Sequence, residues 1–147
     1  MKIKYIQGDI FESETRYILH GCNAQGVMGA GVAKAIKQTY PYAFEVYRKA
    51  YDTNGLRLGE TQIAKCRNRT IINAITQNTY GTKKDVRYVS YDAIAMALHA
   101  VEEILYGSEI AMPMIGAGLG GGDWNVIEAI IESECKTIQP IVFTLDK

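Results

Sequence analysis

From Ile3 to Gln7 apolar and polar positions alternate, with Ile3 and Tyr5 set between Lys2, Lys4 and Gln7. A period of two predicts a first strand with one wetter face. Gly8-Asp9 ends it, and residues 11–15 form a polar connection. Tyr17 to Cys22 is mostly apolar and reads as a short central strand. From about Val32 to Thr39 the rhythm changes to i, i+3, i+4, with Val32, Ala35 and Ile36 on one face, which predicts a helix. Tyr40-Pro41 interrupts it, because the residue before proline is pushed out of the helical region. A second helix follows from about Tyr42 to Tyr51, and Asn54-Gly55 closes it. Thr61–Cys66 and Thr70–Thr76 are two strands joined by a turn at Asn68-Arg69, a hairpin. Residues 77–86 are a polar loop. Ser90 can cap a long helix running to about Tyr106, with the stripe Ile94, Ala97, Leu98, Val101, Ile104 and Leu105. A buried strand (Ile110 to Ile115), a last helix (about Trp124 to Cys135) and a last strand (Ile138 to Leu145) complete the order β-β-α-α-β-β-α-β-α-β. Apolar central strands with intervening helices predict an α/β fold. It is a three-layer α/β/α sandwich around a mixed, mostly parallel six-stranded sheet.

Two stretches rich in small residues follow predicted central strands. One is Asn23-Ala24-Gln25-Gly26-Val27-Met28-Gly29-Ala30-Gly31. The other runs from Met112-Pro113 to Trp124, with five glycines between Gly116 and Gly122. A strand, a glycine loop and a helix start form an anion site, since free N–H groups and the helix dipole favour phosphate. In open α/β sheets ligands bind beyond the carboxyl ends of the strands, so the two loops should converge on one crevice.

Bulk properties narrow the classes. A length of 147 residues, with 48% hydrophobic and 22% charged residues, fits one ordinary globular domain over 1–147. Lys plus Arg and Asp plus Glu are 16 each, so the basic excess of a phosphate-backbone binder is missing and nucleic acid is disfavoured as a partner. Lys65, Arg67, Arg69, Lys83, Lys84 and Arg87 read as a solvated face. Three cysteines, Cys22, Cys66 and Cys135, suit neither a disulfide framework nor a zinc site and fit a reducing, cytoplasmic compartment. The N-terminus runs straight into strand pattern without a signal-peptide core. No apolar run approaches the ~20 residues that span a bilayer, so no membrane partner is expected. Two histidines far apart imply no metal.

Three phosphate-loop types compete for the second glycine stretch. A Walker A loop finds no match. A GxGxxG pattern fits Gly116, Gly118 and Gly121, but too late in the chain for a second mononucleotide half to follow. The third type uses both loops, and four segments carry it. These are Gly8-Asp9-Ile10, His20-Gly21-Cys22-Asn23-Ala24, Gly29 to Ile36, and Met112 to Trp124. Together they resemble a macrodomain, the ADP-ribose-binding fold. The His-x-Cys-Asn stretch and the Met-Pro start of the second loop resemble the branch containing ADP-ribose 1''-phosphate phosphatases and terminal ADP-ribose glycohydrolases.

The resemblance implies a ligand, ADP-ribose or an ester of it, carried free or on ADP-ribosylated macromolecules, and no cofactor. It implies that Asp9 accepts from the adenine amino group and Ile10 offers its N–H to the ring. Asn23 orients the distal ribose. Gly29, Ala30, Gly31 and Val32 hold the diphosphate from one side. Ile115, Gly116, Ala117, Gly118, Leu119, Gly120 and Gly121 wrap the other. Thr76 joins the ligand set, and Phe143, Thr144 and Leu145 supply an apolar wall beside adenine. For chemistry, His20 is the candidate nucleophile or acid near neutral pH, assisted by Asn23, with Asp123 as a second acid/base. Cys22 shares the face of His20 and reads as a packed thiol; His99 reads as surface. The glycohydrolase relatives use a lysine and an aspartate where this chain has Gln77 and Gly120. Gln77 forms no Schiff base and Gly120 carries no carboxylate. The expected reaction is hydrolysis of ADP-ribose 1''-phosphate to ADP-ribose and phosphate. A non-catalytic reader and a deacylase or ADP-ribosyl hydrolase of the same fold stand as alternatives.

Overall fold

The computed structural model describes residues 1–145. Six strands, β1 (Lys4–Gln7), β2 (Tyr17–Asn23), β3 (Thr61–Lys65), β4 (Thr70–Gln77), β5 (Glu109–Met112) and β6 (Gln139–Thr144), form one sheet in the order β1-β6-β5-β2-β4-β3. All neighbours are parallel except the β3–β4 hairpin. Helices α1 (Gly31–Thr39) and α2 (Pro41–Asn54) cover one face; α3 (Tyr91–Ile104) and α4 (Trp124–Glu134) cover the other. This is the mixed three-layer sandwich that the hydrophobic pattern predicts.

The central strands are apolar throughout because both of their faces are covered. On β2, Ile18 enters the cluster beneath α1 and α2, while Leu19 enters the cluster beneath α3 and α4. Ile71 and Ile72 on β4 divide in the same way, and all four are fully buried. Burial of each contributes about 1.5–3 kcal/mol.

Several boundaries differ from the sequence pattern for local reasons. β1 is exposed on all four residues rather than on one face, because it is an edge strand paired only to β6. Tyr5 holds it to α4: its hydroxyl donates to Glu128 and accepts from the Trp124 indole N–H at 2.9 Å. Residues 10–12, expected within a plain connection, form a 3-10 turn. Pro41 occupies the first turn of α2, where its missing N–H costs nothing. β5 stops at Met112 because Pro113 has no N–H for the ladder. Ile104, placed on the core stripe of α3, is 57% exposed in that helix's last turn.

The sheet opens where the site lies. β2 pairs with β5 only at Tyr17 and Ile18, yet β2 continues to Asn23 alongside β4. Beyond Ile18 the carboxyl ends of β2 and β5 are unpaired with each other, and the loops that follow them face across the gap.

Candidate functional site

A cleft of about 540 Å³ occupies this opening. One wall is the β2–α1 loop with the start of α1 (Asn23, Val27, Gly29, Ala30, Gly31, Val32). The other is the glycine loop after β5 (Ile115, Gly116, Gly118, Leu119, Gly120). The floor includes His20, Gly21, Cys22 and Thr76, and the β4–α3 loop closes one end with Gln77, Tyr80, Gly81 and Thr82. The two glycine loops therefore share one crevice. Ala117, Gly121, Asp123, Asp9, Ile10 and Leu145 do not line it.

Backbone geometry makes both walls donors. α3 and α4 begin with side-chain caps, Ser90 accepting from Ala93 N–H and Asp123 from Asn125 N–H. α1 has no such cap. Its N-cap is Ala30, its first intrahelical bond is Lys34 N–H to Ala30 O, and so Gly31, Val32 and Ala33 carry open N–H groups into the cleft. Opposite, the glycine loop curls around the Gly116 carbonyl, which accepts from Gly122 N–H at 2.7 Å. The N–H groups of Gly118, Leu119 and Gly120 have no backbone acceptor among the described residues. Gly116 needs glycine for its φ of 77°. Gly120 needs it for space, since a Cβ there would lie 2.7 Å from the Gly116 oxygen. The curl thus leaves no room for a side chain at Gly120.

Asn23 lines the cleft but is largely committed to its own loop. Its Oδ1 accepts from Gln25 N–H at 2.9 Å and lies 2.8 Å from the Tyr47 hydroxyl. Its Nδ2 donates to Val27 O at 2.9 Å, leaving one amide hydrogen for the cleft. Tyr47, fully buried on α2, is the hub of this loop, since its hydroxyl also accepts from Val27 N–H and donates to the Asn23 carbonyl. In the sequence it reads only as part of an apolar stripe, and a hydroxyl at the end of a buried ring is the one sign of the second role.

His20, the expected nucleophile or acid, lies at the cleft floor and is almost wholly enclosed. The side chain is 1% exposed, on the face of β2 that packs beneath α2. Its Nε2 lies 2.7 Å from Asn73 Oδ1. Asn73 Nδ2 donates to Ala43 O and Gln62 Oε1, so Oδ1 accepts and Nε2 holds the proton, an assignment made from the network. Burial pushes the ring down to about 4, against the opposing pull of the Asn73 bond, so it is neutral at pH 7. In that state Nε2 donates to Asn73 and Nδ1 is the ring's acceptor nitrogen. Cys22, 3.6 Å from that ring, is a buried thiol pushed well above its usual range by desolvation.

Asp123, the expected second acid/base, stands at the start of α4. Its carboxylate caps α4, accepting from Asn125 N–H at 2.9 Å, and it stands outside the cleft. Asp9 caps the 3-10 turn through Phe11 N–H at 2.9 Å. It follows the end of β1, where Gly8 N–H donates to Thr144 O of β6, while Ile10 is buried in the core beneath α1 and α2 and Leu145 is exposed. Phe143 packs partly into the core beneath α1 and α2. His99 is exposed, 3.5 Å from Glu134. Among the described residues no group of three or more His, Cys, Asp or Glu is placed to hold a metal ion, and no helix is long and apolar enough to cross a membrane.

Among the described lining residues none is Asp, Glu, Lys or Arg. Sequence reasoning missed Tyr80, Gly81 and Thr82. Their position at the carboxyl end of a parallel strand was the available signal.

The family and its relatives agree with this geometry. The Macro domain family matches residues 19–131. An uncharacterized 17.5 kDa protein of Enterobacteria phage T4, from the tk-vs intergenic region, is 30% identical over 97% of this chain and 96% of its own. A DNA ADP-ribosyl glycohydrolase of Mycobacterium tuberculosis is 28% identical over 86% of this chain, which spans only 36% of that protein. An ADP-ribose 1''-phosphate phosphatase of Lodderomyces elongisporus is 26% identical over 90% of this chain and 92% of its own. Among solved structures, a protein of unknown function from Bacteroides thetaiotaomicron superposes with a TM-score of 0.86 at 33% identity, covering 97% of this chain and 98% of that one. The macrodomain of Mycobacterium tuberculosis DarG does so at 0.80 and 27%, covering 96% of each. The chain belongs to the Macro domain family.

Proposed function

We propose that this macro domain binds ADP-ribose across the cleft and hydrolyses an ester on its distal ribose, most specifically ADP-ribose 1''-phosphate. One observation carries the reading. Two sets of open backbone N–H groups, at Gly31 to Ala33 and Gly118 to Gly120, face a shared cleft whose described lining has no ionised side chain. Fixed N–H dipoles and a helix start suit a diphosphate, and the unpaired carboxyl ends of β2 and β5 provide the room for it. Relatives named as a DNA ADP-ribosyl glycohydrolase and an ADP-ribose 1''-phosphate phosphatase support ADP-ribose as the ligand class.

Hydrolysis here adds water to phosphorus, breaks the bond to the ribose oxygen and releases phosphate. With His20 neutral and buried, catalysis rests on the N–H groups that stabilise developing charge. Gln77 and Gly120 support a phosphatase over a lysine-dependent glycohydrolase. The same lack of an acid or base among the described lining residues favours a second reading, a reader that holds ADP-ribose without turnover.

The test pairs two measurements on the intact protein, inorganic phosphate released from ADP-ribose 1''-phosphate and calorimetric titration with ADP-ribose. Binding with release is the expected result. Binding without release from this ester, or from ADP-ribosylated protein or DNA, selects the reader. No binding at millimolar ADP-ribose removes both.

A further inference from the structure

We infer that Tyr91 is a positioning residue for the cleft. Together with residues 86–89 it holds the glycine loop after β5 in the shape that offers N–H groups, rather than carbonyls, to an anion. The inference rests on ADP-ribose binding as proposed above. Tyr91 is the first residue of α3 and does not line the cleft, so its effect passes through the loop.

Three carbonyls of the loop accept hydrogen bonds from the protein itself. Gly116 O accepts from Gly122 N–H at 2.7 Å, and Gly118 O from Gly121 N–H at 3.1 Å. Gly120 O accepts from two donors outside the loop, Tyr88 N–H at 2.8 Å and Val89 N–H at 3.1 Å. A carbonyl turned into the cleft would repel a diphosphate. A loop that commits these oxygens elsewhere presents donors in advance.

The segment that supplies the two outside donors is itself fixed. Ser90 N–H bonds Thr76 O at 2.8 Å and Val89 bridges to Gln77, which ties the segment to the end of β4. Val89 is buried, and a Cβ at Gly116 or Gly122 would stand 2.8 Å from its side chain. Gly122 has no positive φ, so the close approach of Val89, Ile127 and the Gly116 oxygen accounts for glycine there.

Tyr91 fastens the far end of the loop. Its hydroxyl accepts from Asp123 N–H at 2.9 Å, which joins the start of α3 to the residue that caps α4. The Asp123 carboxylate bonds Asn125 within its own helix, so the tie to α3 runs through the backbone N–H. The Tyr91 ring is held in turn. The Arg87 guanidinium lies over it, 4.2 Å from the centroid, and donates to Val89 O at 2.9 Å. The sequence places Arg87 on a solvated face, but its cation is packed on a ring. The opposite wall has the same construction, since the Tyr47 hydroxyl holds the β2–α1 loop from α2 without lining the cleft.

Five glycines between Gly116 and Gly122 make this loop costly to order. The fastening therefore sets how much of the free protein is ready to bind, and affinity scales with that fraction.

The test uses Tyr91→Phe, which removes only the hydroxyl. It reads amide hydrogen exchange in the ligand-free protein and calorimetry with ADP-ribose. Loss of one hydrogen bond predicts about three- to tenfold faster exchange at the Tyr88, Val89 and Gly122 amides, and ADP-ribose binding weaker by about three- to tenfold. Arg87→Met should weaken binding by about two- to fivefold, and Arg87→Lys, which keeps a cation for the ring, should recover part of the loss. Unchanged exchange at the loop amides, even with lower overall stability, would mean that the hydroxyl does not hold the loop. Faster loop exchange with unchanged affinity would mean that the held shape is not the binding shape. Either result overturns the inference. Failure of wild type to bind ADP-ribose is read from wild type alone; it overturns the proposed function and with it the part of Tyr91 in binding, while the exchange rates still decide whether Tyr91 holds the loop.

Discussion

At the scale of single residues, one consequence of burying His20 is a pH dependence of stability. The folded ring titrates near 4 instead of its ordinary 6.5. Below pH 6.5 the unfolded chain takes up a proton that the folded ring refuses, so stability falls as pH drops from about 6.5 toward 4. Glu102 acts in a lower window. Burial raises its pKa, but bonds from Thr137, Ile138 and Lys136 outweigh this and hold it below 4.5, so its contribution is lost only under more acid conditions. Between pH 7 and pH 5 the wild type should lose about 2 kcal/mol of unfolding free energy in urea titrations. His20→Gln should flatten that slope while still binding ADP-ribose. Parallel slopes in the two proteins would contradict the buried neutral ring. The period-two pattern of β2 identified a strand with His20 and Cys22 on one face. It could not say that this face lies beneath α2, because the deciding partner, Asn73, is 53 positions away on β4.

At the scale of elements, caps were the most legible feature. Ser90 before an apolar stripe marks the start of α3, and its hydroxyl does accept from Ala93 N–H. The same local rule applies to Asp123 before Trp124, and there it competes with the acid/base role expected from that aspartate's place at the loop end. Both the 2.9 Å bond to Asn125 and the position outside the cleft fit a helix start. Asp123→Ala should therefore cost about 1 kcal/mol of stability, as Ser90→Ala should, and leave ADP-ribose affinity within about twofold. A large loss of phosphate release without loss of stability would return Asp123 to the chemistry. α1 shows the converse, because Ala30 offers no side-chain acceptor and the exposed donors serve the cleft. The 3-10 turn at residues 10–12 escaped prediction because three residues carry no period. Strand ends shifted where proline or an edge position, rather than hydrophobicity, decided them.

At the scale of the whole molecule, the crevice was legible and the strand order was not. Two glycine loops after two apolar strands point to one ligand site only if those strands are neighbours. The chain makes them so by inserting β2 between β5 and β4, through crossovers that local patterns do not encode. What the fold then builds is an anion site from fixed dipoles. The formal net charge is zero, and no Asp, Glu, Lys or Arg is among the described lining residues. Binding of this kind depends on preorganised N–H groups sheltered between two loops, not on a cationic surface that sheds counterions. A site that neutralises six to ten phosphates with Lys and Arg loses about 10³–10⁵ in affinity between 50 and 200 mM salt. This cleft should change its affinity for ADP-ribose by roughly threefold or less over that range, since helix-terminus interactions are screened only modestly when partly buried. Between pH 7 and 9 the affinity should be flat, because His20 is already neutral and Cys22 and Tyr47 are pushed above that range by burial. Calorimetry across salt and pH checks both expectations. A steep salt slope would mean that the cationic side chains of the β4–α3 loop, Lys83 and Lys84, carry the diphosphate in place of the backbone.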